Sequence, residues 1–173
     1  ELSGRIEDLL KSRGVKVVTG NGISEILGEE KVKAVRLENG DILDCDAVVL
    51  SIGYKPNVEL ARKAGIYVDE SGFIAVDEYM RTHEKDIFAL GDCAQKRDFI
   101  TRARVAPMLA STACAEARIA GMNLFKLNVV KTFSGTIAIY STAIGDTGFG
   151  TAGITEARAQ AEDIDYVTGF FEG

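Results

Sequence analysis

A chain of 173 residues with 46% hydrophobic and 27% charged residues has the composition of a soluble globular protein, either one domain or pieces of two. Its net charge of −6, with no cluster of Lys and Arg, argues against a nucleic-acid partner, because phosphate binding needs concentrated positive charge. The longest stretch without charge, residues 132–145, is broken by Ser, Thr and Gly and falls short of the ~20 apolar residues that cross a bilayer, so no membrane partner is expected.

In chain order, Leu2, Ile6, Leu9 and Leu10 fall on one helical face, and Gly14 stands where a C-terminal cap belongs. The pattern is helical from its first residues, so the chain is expected to begin mid-fold; no signal peptide is read there. Strands are predicted over 15–18, 23–27 and 32–37, with Asn39-Gly40 as a two-residue turn into a strand over 42–45, which makes a small antiparallel meander. Residues 47–53, AVVLSIG, form an unbroken apolar run of the kind buried on both faces in a parallel sheet, and Gly53 ends it. Asn57 is placed to cap a short helix over 58–63 with Gly65 past its end, and Glu70-Ser71-Gly72 is a turn before a strand over 73–76.

The run IFALGD, residues 87–92, reads as a further strand, followed by a polar loop over 95–104. The longest helix is predicted from Pro107 to about Asn123, with Ala106, Ala110, Ala113, Ala117 and Ala120 along one packing face. Two strands over 136–140 and 145–153, a helix over 156–162 capped by Thr155, and a last strand over 166–171 complete the prediction. Three cysteines, Cys45, Cys93 and Cys114, have no CxxC spacing, so they indicate neither a disulfide framework nor a metal site and read as small buried apolar residues. The lone His83 lies among charges and reads as solvated.

The chemistry concentrates at Gly91-Asp92. Ligands of open α/β sheets sit beyond the carboxyl ends of strands, a glycine there lets backbone approach the ligand, and a carboxylate accepts strong hydrogen bonds from sugar-type hydroxyls. By themselves the same letters also fit an ordinary turn or a helix cap.

Taken together, VVLSIGYKPN (48–57), GFIAVDEYMRT (72–82) and DIFALGDCA (86–94) resemble the latter half of a FAD-dependent pyridine nucleotide–disulfide oxidoreductase, nearest its NADH oxidase and coenzyme A disulfide reductase branch. The stretch over 133–159 resembles the opening of that family's dimerisation domain. The resemblance implies an α/β fold class. It comprises partial FAD/NAD(P)-binding, Rossmann-like domains with an antiparallel β-meander, followed by the start of an α+β dimerisation domain. Residues 1–55 would end the NAD(P)H-binding domain, 56–128 would be the second FAD segment, and 129–173 would open the dimerisation domain.

It further implies that Asp92 bonds the flavin ribityl hydroxyls with Gly91 giving clearance. Ala106, Pro107 and Met108 would adjoin the isoalloxazine at the start of the long helix, and Ile52 and Gly53 would lie near the junction of the two cofactors, FAD and NAD(P)H. No catalytic residue is assigned. The redox cysteine of the family belongs upstream, so Cys93 does not take that role, and neither glycine-rich dinucleotide-binding turn is expected. The implied parent is a cytoplasmic, homodimeric enzyme passing hydride from NAD(P)H to FAD and electrons to oxygen or a disulfide as small-molecule acceptor. The fragment alone would be inactive, and no metal is involved. A non-catalytic binding or dimerisation module, or a ferredoxin or rubredoxin reductase-type flavoprotein, are the alternative readings.

Overall fold

The computed structural model describes residues 2–127 and 131–171, so the expected domain division after residue 128 lies outside the described residues. The chain forms two compact units, one running to Gly53 and including Ala143–Phe149, the other comprising Tyr54–Thr142 and the chain from Gly150 onward.

The first unit opens with α1, Leu2–Ser12, whose Ile6, Leu9 and Leu10 are half-buried. It ends in paired bonds, Val15 N–H to the Leu10 carbonyl (3.1 Å) and Gly14 N–H to the Lys11 carbonyl (2.9 Å), the Schellman pattern that Gly14 foreshadows. The meander follows as β1 (Ile23–Leu27), β2 (Ala34–Leu37) and β3 (Ile42–Asp44), antiparallel in that order. Register pairs Val35 with Ile26 on one side and with Leu43 on the other, and Ala34, Val35 and Leu37 are buried.

The hairpin between β2 and β3 differs from the predicted two-residue turn. Gly40 N–H bonds the Leu37 carbonyl (3.0 Å) and Leu37 N–H bonds the Asp41 carbonyl (2.8 Å), so the loop has three residues with Gly40 at φ +91. The left-handed residue suits the strand twist here, and a glycine adopts it without the steric cost of a Cβ. Two predicted strands of this unit are absent: residues 15–18 and 47–53 carry no ladder, and Val49 (91% exposed) and Ile52 (88%) face solvent. Apolar strand-formers become a strand only where a neighbour takes their N–H and C=O groups, and no such neighbour exists among the described residues.

In the second unit, α2 (Glu59–Lys63) follows Val58, which takes the cap position predicted for Asn57 and makes no side-chain cap bond. The core beside it joins Val58, Ala61, Ile74, Ala89 and Ala94, with Ile66, Val68, Val76 and Cys93 packed around. The predicted strands over 73–76 and 87–92 are reduced to single bridges, Ile74 to Val68 and Ala94, and Phe88 to Arg81. A 3-10 turn, Gly91–Cys93, replaces the end of the second one.

The predicted polar loop instead holds a two-stranded hairpin, β4 (Lys96–Arg97) with β5 (Arg104–Val105). Buried Asp98 closes its turn by accepting from Ile100 N–H (3.0 Å), Thr101 N–H (2.8 Å) and the Thr101 hydroxyl (3.1 Å). The long helix α3 spans Ala110–Asn123, starting three residues after Pro107 because Leu109 is extended. Its buried stripe is Thr112, Glu116, Ala120 and Asn123, whereas Ala110 and Ala117 of the expected alanine face are exposed. Polar residues win that face because each finds a partner there, as Thr112 does in the Thr136 hydroxyl (2.8 Å).

The hairpin β6 (Ile139–Ile144) and β7 (Thr147–Ala152) and the helix α4 (Glu156–Ala161) end the fold, with the Thr155 hydroxyl accepting from Arg158 N–H (3.3 Å) as predicted. Residues 166–171 form no strand. The spacing G-x-G-x-x-G does occur once, at Gly148, Gly150 and Gly153. Its first two glycines lie inside β7, an antiparallel hairpin strand, rather than on a strand-to-helix turn, so it lacks the geometry that grips a pyrophosphate. No helix is long and apolar enough to cross a membrane among the described residues.

Candidate functional site

The turn Gly91–Cys93 sits directly above the core of the second unit, since Ala89, Cys93 and Ala94 belong to that cluster. Gly91 is buried with φ +76, a backbone state in which any other residue is strained. A Cβ built there would meet the Ala113 Cβ at 3.7 Å, an ordinary contact, so the backbone angle and not crowding demands the glycine. Asp92, next in the turn, is exposed, and its carboxylate makes no hydrogen bond or ion pair among the described residues. It is a free acceptor on a fixed turn.

Two side chains from elsewhere hold that turn. Gly91 N–H donates to Glu116 Oε2 of α3 (2.7 Å), and Lys96 Nζ of β4 donates to the Gly91 carbonyl (2.5 Å) and the Ala94 carbonyl (3.1 Å). Lys96 Nζ also stands 3.4 Å from Glu116 Oε1, with the two side chains 1% and 0% exposed. Among the described residues Lys96 is the cation facing Oε1, and at 3.4 Å the contact is an ion pair rather than a well-formed hydrogen bond. Burial pushes the Glu116 carboxyl above its ordinary range, against the opposing pull of the Gly91 N–H and the Lys96 ammonium. Burial likewise acts to raise Asp98, but there its three hydrogen bonds prevail and hold the carboxyl below the ordinary value.

Of the predicted site residues, Gly91, Asp92, Ala106, Pro107 and Met108 all lie in the second unit. Pro107 is buried, Met108 half-buried and Ala106 exposed, and these three form the approach to α3 and not its first turn. The Met108 carbonyl accepts from the Tyr54 hydroxyl (3.2 Å), which ties this approach to the residue that opens the unit. Ile52 and Gly53 belong to the first unit, both exposed, with Gly53 left-handed at φ +84. The cysteines are less buried than expected: Cys45 and Cys93 are half-buried and Cys114 is exposed. His83 is half-exposed, 3.1 Å from a Glu84 oxygen and edge-on to Tyr67.

Lys96 and Glu116 escape a reading of the sequence. A lysine in a polar loop and a glutamate amid alanines both read as solvated, and the one available signal is that Thr112, Glu116 and Ala120 share a helical stripe.

The sequence pattern of the family described as "Pyridine nucleotide-disulphide oxidoreductase" matches residues 1–117, and the chain belongs to that family. The chain is 33% identical to the NADH oxidase of Methanocaldococcus jannaschii over 164 residues, which is 95% of this chain and 36% of that protein. Among solved structures it is similar to a NAD-dependent persulfide reductase from A. fulgidus, with TM-score 0.83 and 34% identity over 94% of this chain and 30% of that one. A FAD-dependent pyridine nucleotide-disulphide oxidoreductase from Desulfovibrio vulgaris matches with TM-score 0.83 and 35% identity, covering 96% of this chain and 41% of that one. The fold class is therefore that of the FAD/NAD(P)-binding, Rossmann-like oxidoreductases, and the chain spans between 30% and 41% of the length of these relatives.

Proposed function

We propose that this chain contributes the ribityl-binding turn of a FAD site, within a flavoprotein that passes hydride from NAD(P)H to FAD and electrons onward to oxygen or a disulfide. The observation that carries the reading is Asp92: an exposed carboxylate without a hydrogen-bond or ion-pair partner among the described residues, on a turn whose backbone is locked. A carboxylate left free on a rigid turn suits vicinal hydroxyls, to which it can accept two charge-assisted hydrogen bonds. That donor set fits a flavin's sugar-alcohol chain.

FAD, when bound, supplies the hydride acceptance and electron transfer. The chain's own residues bind and orient it. Asp92 accepts from the ribityl hydroxyls, while Ala106, Pro107 and Met108 shape the approach to α3. The N-terminus of α3 carries partial positive charge that favours an anionic flavin. Ile52 and Gly53 are assigned to the neighbourhood where the nucleotide-binding and flavin-binding domains meet, close to the cofactors.

On this reading residues 1–55 complete a NAD(P)H-binding domain, 56–128 the FAD domain, and 129–173 open a dimerisation domain. The exposed apolar side chains Phe170 (78%) and Val167 (97%) favour a self-associating partner for the last of these. The parent is then a cytoplasmic homodimer. Because the only G-x-G-x-x-G lies in a hairpin strand, these 173 residues alone carry no pyrophosphate turn and are expected not to oxidise NADH.

The test is titration of the full-length apoprotein with FAD, followed by flavin fluorescence, for the wild type and D92A. Losing a charged hydrogen-bond acceptor costs about 1.5–3 kcal/mol, a weakening of roughly 10- to 150-fold. An unchanged Kd in D92A overturns the assignment of Asp92.

A further inference from the structure

Lys96 and Glu116 are the two largest fully buried side chains of the described residues, and both carry charge. Burying an ion pair removes two solvation shells, and well-packed apolar residues of similar volume commonly serve stability as well or better. Stability alone therefore does not explain this pair. The destinations of its hydrogen bonds suggest what does.

The Gly91 N–H goes to Glu116 and the Gly91 C=O goes to Lys96, so both polar groups of the residue before Asp92 are held by the same pair. That C=O belongs to the peptide plane that ends in the Asp92 nitrogen, and the orientation of this plane sets the direction in which the Asp92 side chain leaves the backbone. Lys96 reaches Ala94 as well, beyond the far end of the turn, so Asp92 is bracketed on both sides. The loop closes on itself, because Lys96 and Glu116 also face each other at 3.4 Å.

The two side chains stand on different elements, which Thr136 joins by bonding Arg97 and Phe99 through its backbone and Thr112 through its hydroxyl. Lys96 stands on the β4–β5 hairpin closed by Asp98, and Glu116 stands in the middle of α3, twenty residues further along the chain. The turn is thereby referenced to two separate elements. Asp92 itself is exposed and makes no bond of its own among the described residues, so beyond the turn's internal Ala94 N–H to Gly91 carbonyl bond (3.1 Å) its direction follows from how the pair holds Gly91.

We propose that Lys96 and Glu116 are positioning residues for Asp92: a buried ion pair that grips the Gly91 peptide and presents the neighbouring carboxylate in its ligand-binding direction. This rests on the reading of Asp92 as a ribityl ligand.

The experiment is a double-mutant cycle on FAD affinity in the full-length protein. The pair is replaced together by K96M/E116Q, which removes both charges at nearly constant volume and keeps an acceptor for the Gly91 N–H. The Kd for FAD is then measured with Asp92 present and with D92A, at a temperature where melting curves show every variant folded. The expected result is a weakening of about fivefold or more when Asp92 is present, in the range by which residues of one network couple, and less than twofold in the D92A background. Equal weakening in both backgrounds would mean that the pair merely supports the fold, and no weakening in either would mean that the turn holds without it; each overturns the proposal. If K96M/E116Q does not fold, E116Q alone repeats the cycle with the same two readouts. Failure of the underlying reading is recognised separately, because D92A by itself then leaves FAD affinity unchanged, and the proposal falls with it.

Discussion

In the meander Ile23–Asp44, each strand pairs with its neighbour in sequence, and the ion pair between Arg36 and Glu25 lies on its surface, half in water. Around Gly91-Asp92 the bonds run from residue 91 to residue 116, and the ion pair is sealed from water. Both regions are small and both contain a left-handed glycine, Gly40 in one and Gly91 in the other. The difference lies in what fixes that glycine. Both turns are closed by a backbone bond within five residues, but the Gly91 turn is held in addition by two buried charged side chains, Lys96 and, from 25 residues away, Glu116. A binding carboxylate gains from the second arrangement, since its direction is then set by the fold and not by a loop free to breathe.

This contrast can be pressed by substitution, beginning where the effect is greatest. K96A leaves the Glu116 carboxylate buried without its counter-charge, which costs about 3–5 kcal/mol. Chemical denaturation of the full-length protein should record that loss in the second unit, and a loss below about 1 kcal/mol would contradict the account of a sealed pair.

D98N comes next. It removes the charged acceptor that closes the β4–β5 hairpin and so loosens the anchor of Lys96, at a cost of about 1.5–3 kcal/mol at neutral pH. Because the folded state holds the Asp98 carboxyl below its ordinary value, its contribution is present above about pH 4 and fades as pH falls through the lowered value. The melting temperatures of wild type and D98N should therefore converge on acidification below about pH 4. A gap that stays constant with pH would count against an ionised Asp98 as the anchor.

The smallest effect belongs to the meander. R36A breaks a pair whose partners are 43% and 53% exposed, and the expected change is below about 0.5 kcal/mol. A larger loss would show that the meander, too, depends on charge.

The two regions also differ in how far they can be read from letters. The meander is legible because its signals are local: strand-formers alternate with turn residues and Asn39-Gly40 marks the hairpin, while the expected strand over 15–18 is missing and the loop has three residues in place of two. Gly91-Asp92 stands out as a candidate site through its chemistry and its resemblance to a family. What holds it does not, since nothing in the letters brings residue 96 and residue 116 to one peptide group. The predicted strands over 47–53 and 87–92 fail for a related reason: an apolar run records a preference, while a ladder needs a partner elsewhere in the fold. Pro107 marks the neighbourhood of α3 correctly, but the extended Leu109 moves its start to Ala110.

The measurement that bears most directly on the central claim is a crystal structure of the full-length protein with FAD bound. An Asp92 carboxylate oxygen is expected about 2.5–3.0 Å from a ribityl hydroxyl, with Gly91 still bonded to Glu116 and Lys96. A bound flavin whose ribityl chain lies on other residues, with Asp92 left in solvent, would contradict that claim.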